Sequence, residues 1–245
     1  MSGVTPLKRP TISLIIPAFN EEAYLPACLA AVERNIGDKV IEVIVVDNNS
    51  TDGTKSVIAR HPSVTYVFEP RKGITRARQR GFVESRGDVL AYVDADTRPP
   101  PGWIEQILDQ FETRENLACL SGPYSFYDLG GLQNAVSTGW FVIARPLYRL
   151  TGYMMVGGNF AIRRDVLQRM GGFDSTIEFY GEDVDIAKRA RKQGKVLFSP
   201  RFTMPTSGRR MKSQGFARIA GIYLLNYLSV MFRSRPATHG YTDVR

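Results

Sequence analysis

Asp94-Ala95-Asp96 is where residue types and spacing in this sequence most directly allow chemistry. The preceding Asp88-Val89-Leu90-Ala91-Tyr92-Val93 reads as a short buried strand that delivers two carboxylates at its C-terminal end. Pro99-Pro100-Pro101-Gly102 then forbids regular structure until Trp103 opens a helix. Ligands of open α/β sheets bind beyond the carboxyl ends of strands. Two acids one residue apart there can hold a hard divalent cation, which in turn holds phosphate oxygens. The plainer reading is a turn former or helix cap, a use to which Asp is also put at strand ends.

Four further clusters carry polar chemistry. Glu182-Asp183 follows Gly171-Gly172-Phe173-Asp174 and opens a helix. The helix dipole alone favours acids there, and a carboxylate so held beside a substrate also suits a general base. Gly157-Gly158-Asn159 offers close backbone approach and a polar side chain to a hydroxyl-rich acceptor, or is a simple bend. Gly73-Ile74-Thr75-Arg76-Ala77-Arg78 places cations in a first helical turn, where they oppose the dipole. A diphosphate facing Arg78 and the helix start resolves that conflict; a solvated basic face is the alternative. Asp47, at the end of a second apolar run, can accept a hydrogen bond from a nucleobase N–H, with Asn48-Asn49-Ser50-Thr51-Asp52-Gly53 building the turn.

These clusters must be positioned by strands and helices, and the first hundred residues alternate the two. Apolar runs at Ile12–Pro17, Ile41–Asp47, Val64–Phe68 and Val89–Val93 are separated by helical patterns at Glu22–Asn35, after Asp52-Gly53, and at Ile74–Ser85. That order predicts an α/β fold with a mostly parallel central sheet and helices on both faces. Pro17 ends the first run and Asn20 is suited to cap the helix after it. The junction has no G-x-G-x-x-G, which excludes the dinucleotide fingerprint. Beyond Leu117–Leu120 the rhythm breaks. A helix is predicted over Leu132–Leu150, another from Glu182 to about Gln193, and a last strand at Val196–Phe198.

The 245 residues are 43% hydrophobic and 23% charged, an ordinary globular composition sufficient for one large domain. Two cysteines, Cys28 and Cys119, have no metal-ligand spacing and suggest a reducing compartment. Met1 to Pro10 has no apolar signal region. The net charge of +8 is concentrated at the end: Arg201 to Arg245 holds eight Arg or Lys and one acid. The body is nearly neutral, and no nucleic-acid partner is expected.

In this order the motifs resemble those of the family 2 glycosyltransferases of GT-A (Rossmann-like) fold, over about Thr11 to Arg210. Pro17 to Glu22, Asp47 to Thr54, Gly73 with Ala77-Arg78, Asp94-x-Asp96 and Glu182-Asp183 each fall where that family carries a motif. Pro205-Thr206-Ser207-Gly208-Arg209-Arg210 is similar to its post-catalytic loop. The resemblance implies an N-terminal lead at 1–10, a transferase domain at 11–204 with a nucleotide-binding half (11–98) and an acceptor half (99–204), and a basic tail at 205–245. It implies a nucleoside diphosphate sugar as donor, held by Pro17, Phe19, Glu21, Asp47, Arg78, Asp94, Arg209 and Arg210. Asp94 and Asp96 would hold Mg²⁺ or Mn²⁺, Gly158, Asn159 and Glu182 would meet a hydroxyl acceptor, and Asp183 would be the base of an inverting transfer. The family often has a second Asp where this chain has Asn48, so the nucleotide is left open among UDP, GDP and dTDP. The Gln-x-x-Arg-Trp motif of processive synthases is missing, which favours addition of a single sugar.

Gly215 to Phe232 is apolar but for Arg218, Asn226, Ser229 and two glycines. On a helix the polar residues and Arg233 form one narrow stripe. At about 1.5 Å per residue the segment is marginal as a span, and Arg218 within it is costly there. Two readings stand: a helix lying on an anionic membrane surface, flanked by Arg209, Arg210, Lys212, Arg233 and Arg235, or one docked on the body or a second subunit. The first matches a cytoplasmic enzyme, peripheral at the inner membrane face, with a lipid-linked or envelope-polysaccharide acceptor. Rival functions are a sugar-1-phosphate nucleotidyltransferase, for which the basic glycine-rich loop is missing after the first strand, and a catalytically silent membrane-docked module that binds nucleotide sugars.

Overall fold

The protein, seen in a computed structural model, is described over residues 9–131, 139, 145–177, 179–233 and 235–238. Its centre follows from the apolar runs. β1 (Ile12–Ala18) pairs in parallel with β2 (Val40–Asp47) and β4 (Val89–Val93), and β2 with β3 (Val64–Phe68). The intervening helices α1 (Leu25–Glu33), α2 (Thr54–Ile58) and α3 (Ile74–Glu84) return the chain to the same end of the sheet. β1 and β4 are buried along their whole length, as strands covered on both faces must be.

After β4 come α4 (Trp103–Thr113), β5 (Leu117–Ser121), β6 (Tyr124–Phe126), α5 (Arg145–Thr151), β7 (Asn159–Arg163) and α6 (Arg164–Arg169). α7 (Glu182–Arg191), β8 (Lys195–Phe198), β9 (Met204–Thr206), α8 (Arg209–Gln214) and α9 (Phe216–Arg233) complete the described elements. The main sheet runs β3-β2-β1-β4-β7-β5-β8, and β6 with β9 forms a separate two-stranded ribbon. β7 is antiparallel to both β4 and β5, whereas β5 and β8 are parallel. The sheet is thus mostly parallel, with one strand inserted against the grain. Its faces carry two apolar cores, one including Leu14, Leu29, Val45, Trp103 and Phe111, the other Ile15, Val46, Tyr92, Phe160 and Phe173.

Several expectations need correction. α1 begins at Leu25 and not at Glu22, with Pro26 in its first turn. Asn20 does not cap it: at φ 53° its side chain accepts from Thr51 N at 2.8 Å, tying the loop after β1 to the loop after β2. Val196–Phe198 is not the last strand, since β9 follows and pairs with β6. Of the helix expected at Leu132–Leu150, α5 supplies the end, and 132–138 and 140–144 lie outside the described residues, as do the lead before residue 9 and the tail from His239.

On the C-terminal helix one residue of the expected polar stripe turns inward, while Arg218 and Arg233 stay exposed. Asn226, placed on the polar stripe, is buried, and Leu224, Leu225, Leu228 and Phe232 are exposed. The amide is satisfied internally: Asn226 Nδ2 donates to Ile222 O and Thr238 Oγ1, and Oδ1 accepts from Ala237 N and Thr238 N. Ile219 and Val230 are buried beside it, and Lys188 of α7 donates to the Val230 and Met231 carbonyls. The tail helix therefore docks on the body.

Candidate active site

β4 ends at the middle of the sheet, so Asp94 and Asp96 emerge beyond its carboxyl end, where sheet topology opens a crevice. The turn is pinned by local and long-range bonds. Thr97 N and Oγ1 donate to Asp94 O at 3.1 and 2.7 Å, and Ser207 N and Tyr127 Oη donate to Asp96 O at 3.2 and 3.1 Å. Arg98 N donates to Pro205 O at 2.9 Å, stapling this turn to β9.

The two carboxylates line a cavity of about 290 Å³, together with Pro17, Glu21, Arg78, Gly158, Glu182, Asp183, Arg209 and Arg210. Arg78 stands between its walls: Nη2 lies 3.2 Å from Asp94 Oδ1, and Nη1 lies 3.2 Å from Glu182 Oε1. Its side chain is 2% exposed. The chain itself thus supplies two anionic partners to Arg78. Tyr124 Oη donates to Asp94 Oδ2 at 3.1 Å. Arg209 Nη2 bridges Glu21 Oε1 at 2.6 Å and Asp96 Oδ2 at 3.0 Å. Arg78 Nε and Arg209 Nη1 are buried N–H donors with no partner among the described residues, donors left over for a ligand anion.

Gly158 shows why glycine stands here. A Cβ at that position would overlap Asp94 Oδ2 and Tyr124 Oη, so the close approach of both requires its absence. Asn159, expected to meet the acceptor, is a correction. It is wholly buried, its Oδ1 accepts from Trp103 Nε1 at 3.0 Å, and its Nδ2 donates to Phe202 O at 2.6 Å and Gly122 O at 3.1 Å. Its polar atoms hold the scaffold under the site.

Glu182 and Asp183 open α7, placed by Gly181 at φ 89°. A Cβ on Gly181 would come within 2.9 Å of Val230 Cγ2, so α9 packs directly on the turn before these acids. Burial, and secondarily the charge of Asp183, pushes the Glu182 carboxyl up to about 8 against the pull of Arg78. Burial likewise raises Asp183, to about 6, opposed by the Val184 N–H and Arg78. Half-buried side by side on the cavity wall, the two acids share their titration, and the charge of Asp183 disfavours ionisation of Glu182.

Asp47 and Phe19 lie outside the cavity lining. Asp47 accepts from Ser50 N at 2.9 Å and Tyr66 Oη at 3.2 Å, and Phe19 lies under Lys72 Nζ, 4.5 Å from its ring centre. Asn48, the departure from the family pattern, donates to Glu69 O and Arg71 O and accepts from Gly73 N. Aspartate has no N–H with which to make the first two bonds. Sequence reasoning missed Tyr124 and the β6–β9 ribbon, because their approach to Asp94 and Asp96 has no local signature.

The donor set suits a hard divalent cation. Among the described residues no three His, Cys, Asp or Glu side chains gather as a complete cage. Two carboxylates opening on a cavity, with the rest of the shell left to phosphate and water, is how Mg²⁺-type ions are commonly held.

Strand order, strand-end carboxylates and the acidic start of α7 together define the GT-A type of glycosyltransferase. Residues 13–171 match the family described as Glycosyl transferase family 2, and residues 141–212 match the N-terminal domain of galactosyltransferase. The chain belongs to glycosyltransferase family 2. It is 30% identical over 207 residues to the glycosyltransferase AglE of Haloferax volcanii, covering 77% of this chain and 64% of that protein. It is 27% identical over 239 residues to the dolichol-phosphate mannosyltransferase of Pyrococcus furiosus, covering 91% of this chain and 63% of that one. The chain therefore spans under two thirds of either relative. The fold is shared with the mannosyltransferase PcManGT of Pyrobaculum calidifontis, solved with GDP-Man and Mn²⁺ (TM-score 0.71, 22% identity, 93% and 66% of the two chains). It is shared too with glucosyl-3-phosphoglycerate synthase of Mycobacterium tuberculosis, solved with Mn²⁺, UDP and phosphoglyceric acid (TM-score 0.62, 19% identity, 91% and 77%).

Proposed function

We propose that this protein transfers one sugar from a nucleoside diphosphate sugar to an acceptor hydroxyl, with inversion at the anomeric carbon. The observation that carries the reading is the convergence of Asp94 and Asp96 with Glu182 and Asp183 on one cavity, joined through Arg78. The donor diphosphate lies at the Asp94–Asp96 end, where Arg209 and Arg210 offset the negative charge that grows on the leaving group. Mg²⁺ or Mn²⁺ held by Asp94 and Asp96 would add Lewis-acid stabilisation of that group. The structural neighbours solved with Mn²⁺ and nucleotides support the use of a divalent metal and a nucleotide donor.

Asp183 acts as general base. A sugar hydroxyl is a weak nucleophile until its proton is taken by a poised group near the working pH, and burial raises Asp183 in that direction. Arg78 orients Asp94 and Glu182 and sets the separation of the two ends. Asp47 serves the base of the nucleotide from outside the cavity lining, next to Tyr66.

The enzyme works at a membrane surface as a peripheral protein. Support comes from the exposed Leu225, Leu228 and Phe232 of α9, beside Arg218 and Arg233. Among the described residues no helix is long and apolar enough to cross a membrane.

A thermal-shift panel of UDP, GDP and dTDP with their sugars, each with and without Mn²⁺, tests the core of the reading. Stabilisation by one nucleotide only when metal is present is the expected result. No shift with any of them, in folded protein, removes the donor site.

A further inference from the structure

The segment that carries Arg209 into the cavity is tied down by a residue far back in the chain. Asp128 lies just after β6 and spends both carboxylate oxygens on the turn before α8. Its Oδ1 accepts from Gly208 N at 2.6 Å and its Oδ2 from Ser207 Oγ at 2.8 Å, partners 80 and 79 residues away in sequence. Ser207 Oγ in turn accepts from Arg209 N at 3.2 Å, so the tie reaches the backbone of Arg209 itself. Lys212 Nζ lies 3.4 Å from the same carboxylate. Burial raises the Asp128 carboxyl, but the Gly208 N–H, the Ser207 hydroxyl and Lys212 outweigh it and hold it below the ordinary carboxylate range. Asp128 is therefore ionised at neutral pH, as the stronger, charge-assisted form of these bonds requires.

The contact is close enough to need glycine. A Cβ on Gly208 would overlap the Leu129 side chain, so the turn sits directly on the segment that carries Asp128. The far end of Arg209 is placed by other partners. Its guanidinium meets Glu21 and Asp96, and its Cζ lies over the Tyr24 ring, 4.5 Å from the ring centre. Nη1 alone is left for a ligand. Asp96 is also a candidate metal ligand, so the tie at the root of Arg209 is the one that no donor contests. An arginine gives up much rotamer freedom when it is fixed, and a root already held lessens what a ligand must order.

We infer that Asp128 is a positioning residue for the donor diphosphate. It stands outside the cavity lining, and it fixes Ser207 and Gly208 so that Arg209 presents Nη1 to the phosphates. The inference rests on the sugar-transfer reading of the Asp94–Asp96 end and adds to it a residue that acts only through Arg209.

Isothermal titration of the whole chain with UDP, GDP and dTDP and with the matching monophosphates, at saturating Mn²⁺, tests it. The quantity read is the ratio of monophosphate to diphosphate Kd, which a general loosening of the fold leaves unchanged. Arg209→Ala should lower that ratio about ten-fold, the scale of one charge-assisted hydrogen bond. Asp128→Ala should lower it several-fold. The Asp128 side chain is 24% exposed, so water can meet Gly208 N in that variant and the fold should survive. Asp128→Asn, which keeps a carbonyl oxygen for Gly208 N, should restore most of the ratio. Asp128→Ala added to Arg209→Ala should change it no further, because the two act through one contact. Equal weakening of monophosphate and diphosphate in Asp128→Ala, or a further drop in the double variant, would overturn the inference. So would an Asn variant as damaged as the Ala one. A ratio lost in Arg209→Ala and intact in Asp128→Ala would sink Asp128 alone and keep the donor site. No nucleotide binding by the wild type would sink the sugar-transfer reading, and this inference with it.

Discussion

Arg78 and Glu182 are 104 residues apart in the chain and 3.2 Å apart in space, with Asp94 on the other side of the same guanidinium. One buried cation thus joins the strand that carries the candidate metal ligands to the helix that carries the candidate base. The pairing is worth little as net stabilisation, because three groups lose water to make it. Its consequence is geometric: neither carboxylate can drift without leaving Arg78 uncompensated.

Arg78→Met should therefore destabilise the fold by about 3 kcal/mol, the scale for removing one member of a buried ionic group. Urea denaturation of the two proteins measures it. Loss of the cation also removes a pull that keeps Glu182 and Asp183 low, so residual activity should need a higher pH. An unchanged midpoint and pH profile would show that Arg78 is dispensable.

Asp183→Asn should lower transfer by about 10²- to 10⁴-fold and leave nucleotide stabilisation intact. The wild-type kcat/KM should fall as pH drops through about 6, because the raised Asp183 carboxyl then takes up the proton it must lose to act as base. A flat profile between pH 5 and 8, or an active Asn variant, assigns the proton to another group.

Gly158→Ala places a methyl group against Asp94 Oδ2 and Tyr124 Oη. Overpacking of this kind costs about 1–3 kcal/mol, and here the strain falls on a candidate ligand. Circular dichroism should be preserved while the Mn²⁺-dependent nucleotide shift shrinks. A full shift in the alanine variant would mean that Asp94 has room to move.

Asn226→Leu keeps the size of the side chain and removes both ends of its amide. Ala237 N and Thr238 N lose their acceptor, at about 1–3 kcal/mol if they stay buried. The midpoint of urea unfolding should fall, and proteolysis should reach the segment after α9 sooner. Equal protection in both proteins would show that the return of the chain is held by other contacts.

Much of this site is legible in the residues themselves. The runs at Ile12, Val43 and Val89 are too apolar to face water, so they become buried strands whatever follows, and acids placed after them must emerge at strand ends; the run at Val64 takes the sheet edge, with only Val67 buried. Pro99 to Gly102 stops the chain there for the same local reason. Glu182 and Asp183 announce a helix start through the dipole they offset. Periodicity and end preferences act over a few residues, and a sequence displays them directly.

What only the tertiary structure decided acts at long range. β7 enters between β4 and β5 against the direction of its neighbours, which depends on how the whole sheet closes and leaves no mark on Asn159–Arg163. That insertion puts Gly158 against Asp94 and sinks Asn159 under the site, where its amide serves Trp103 and Phe202. The same closure carries Arg78 to Glu182. On α9 a helical wheel sorts residues by polarity, but a polar residue whose hydrogen bonds are all met can be buried, and Asn226 is. Residue chemistry determined which groups were available; the order of the strands and the seating of α9 decided which of them meet, because those contacts are closed by chain segments far apart in sequence.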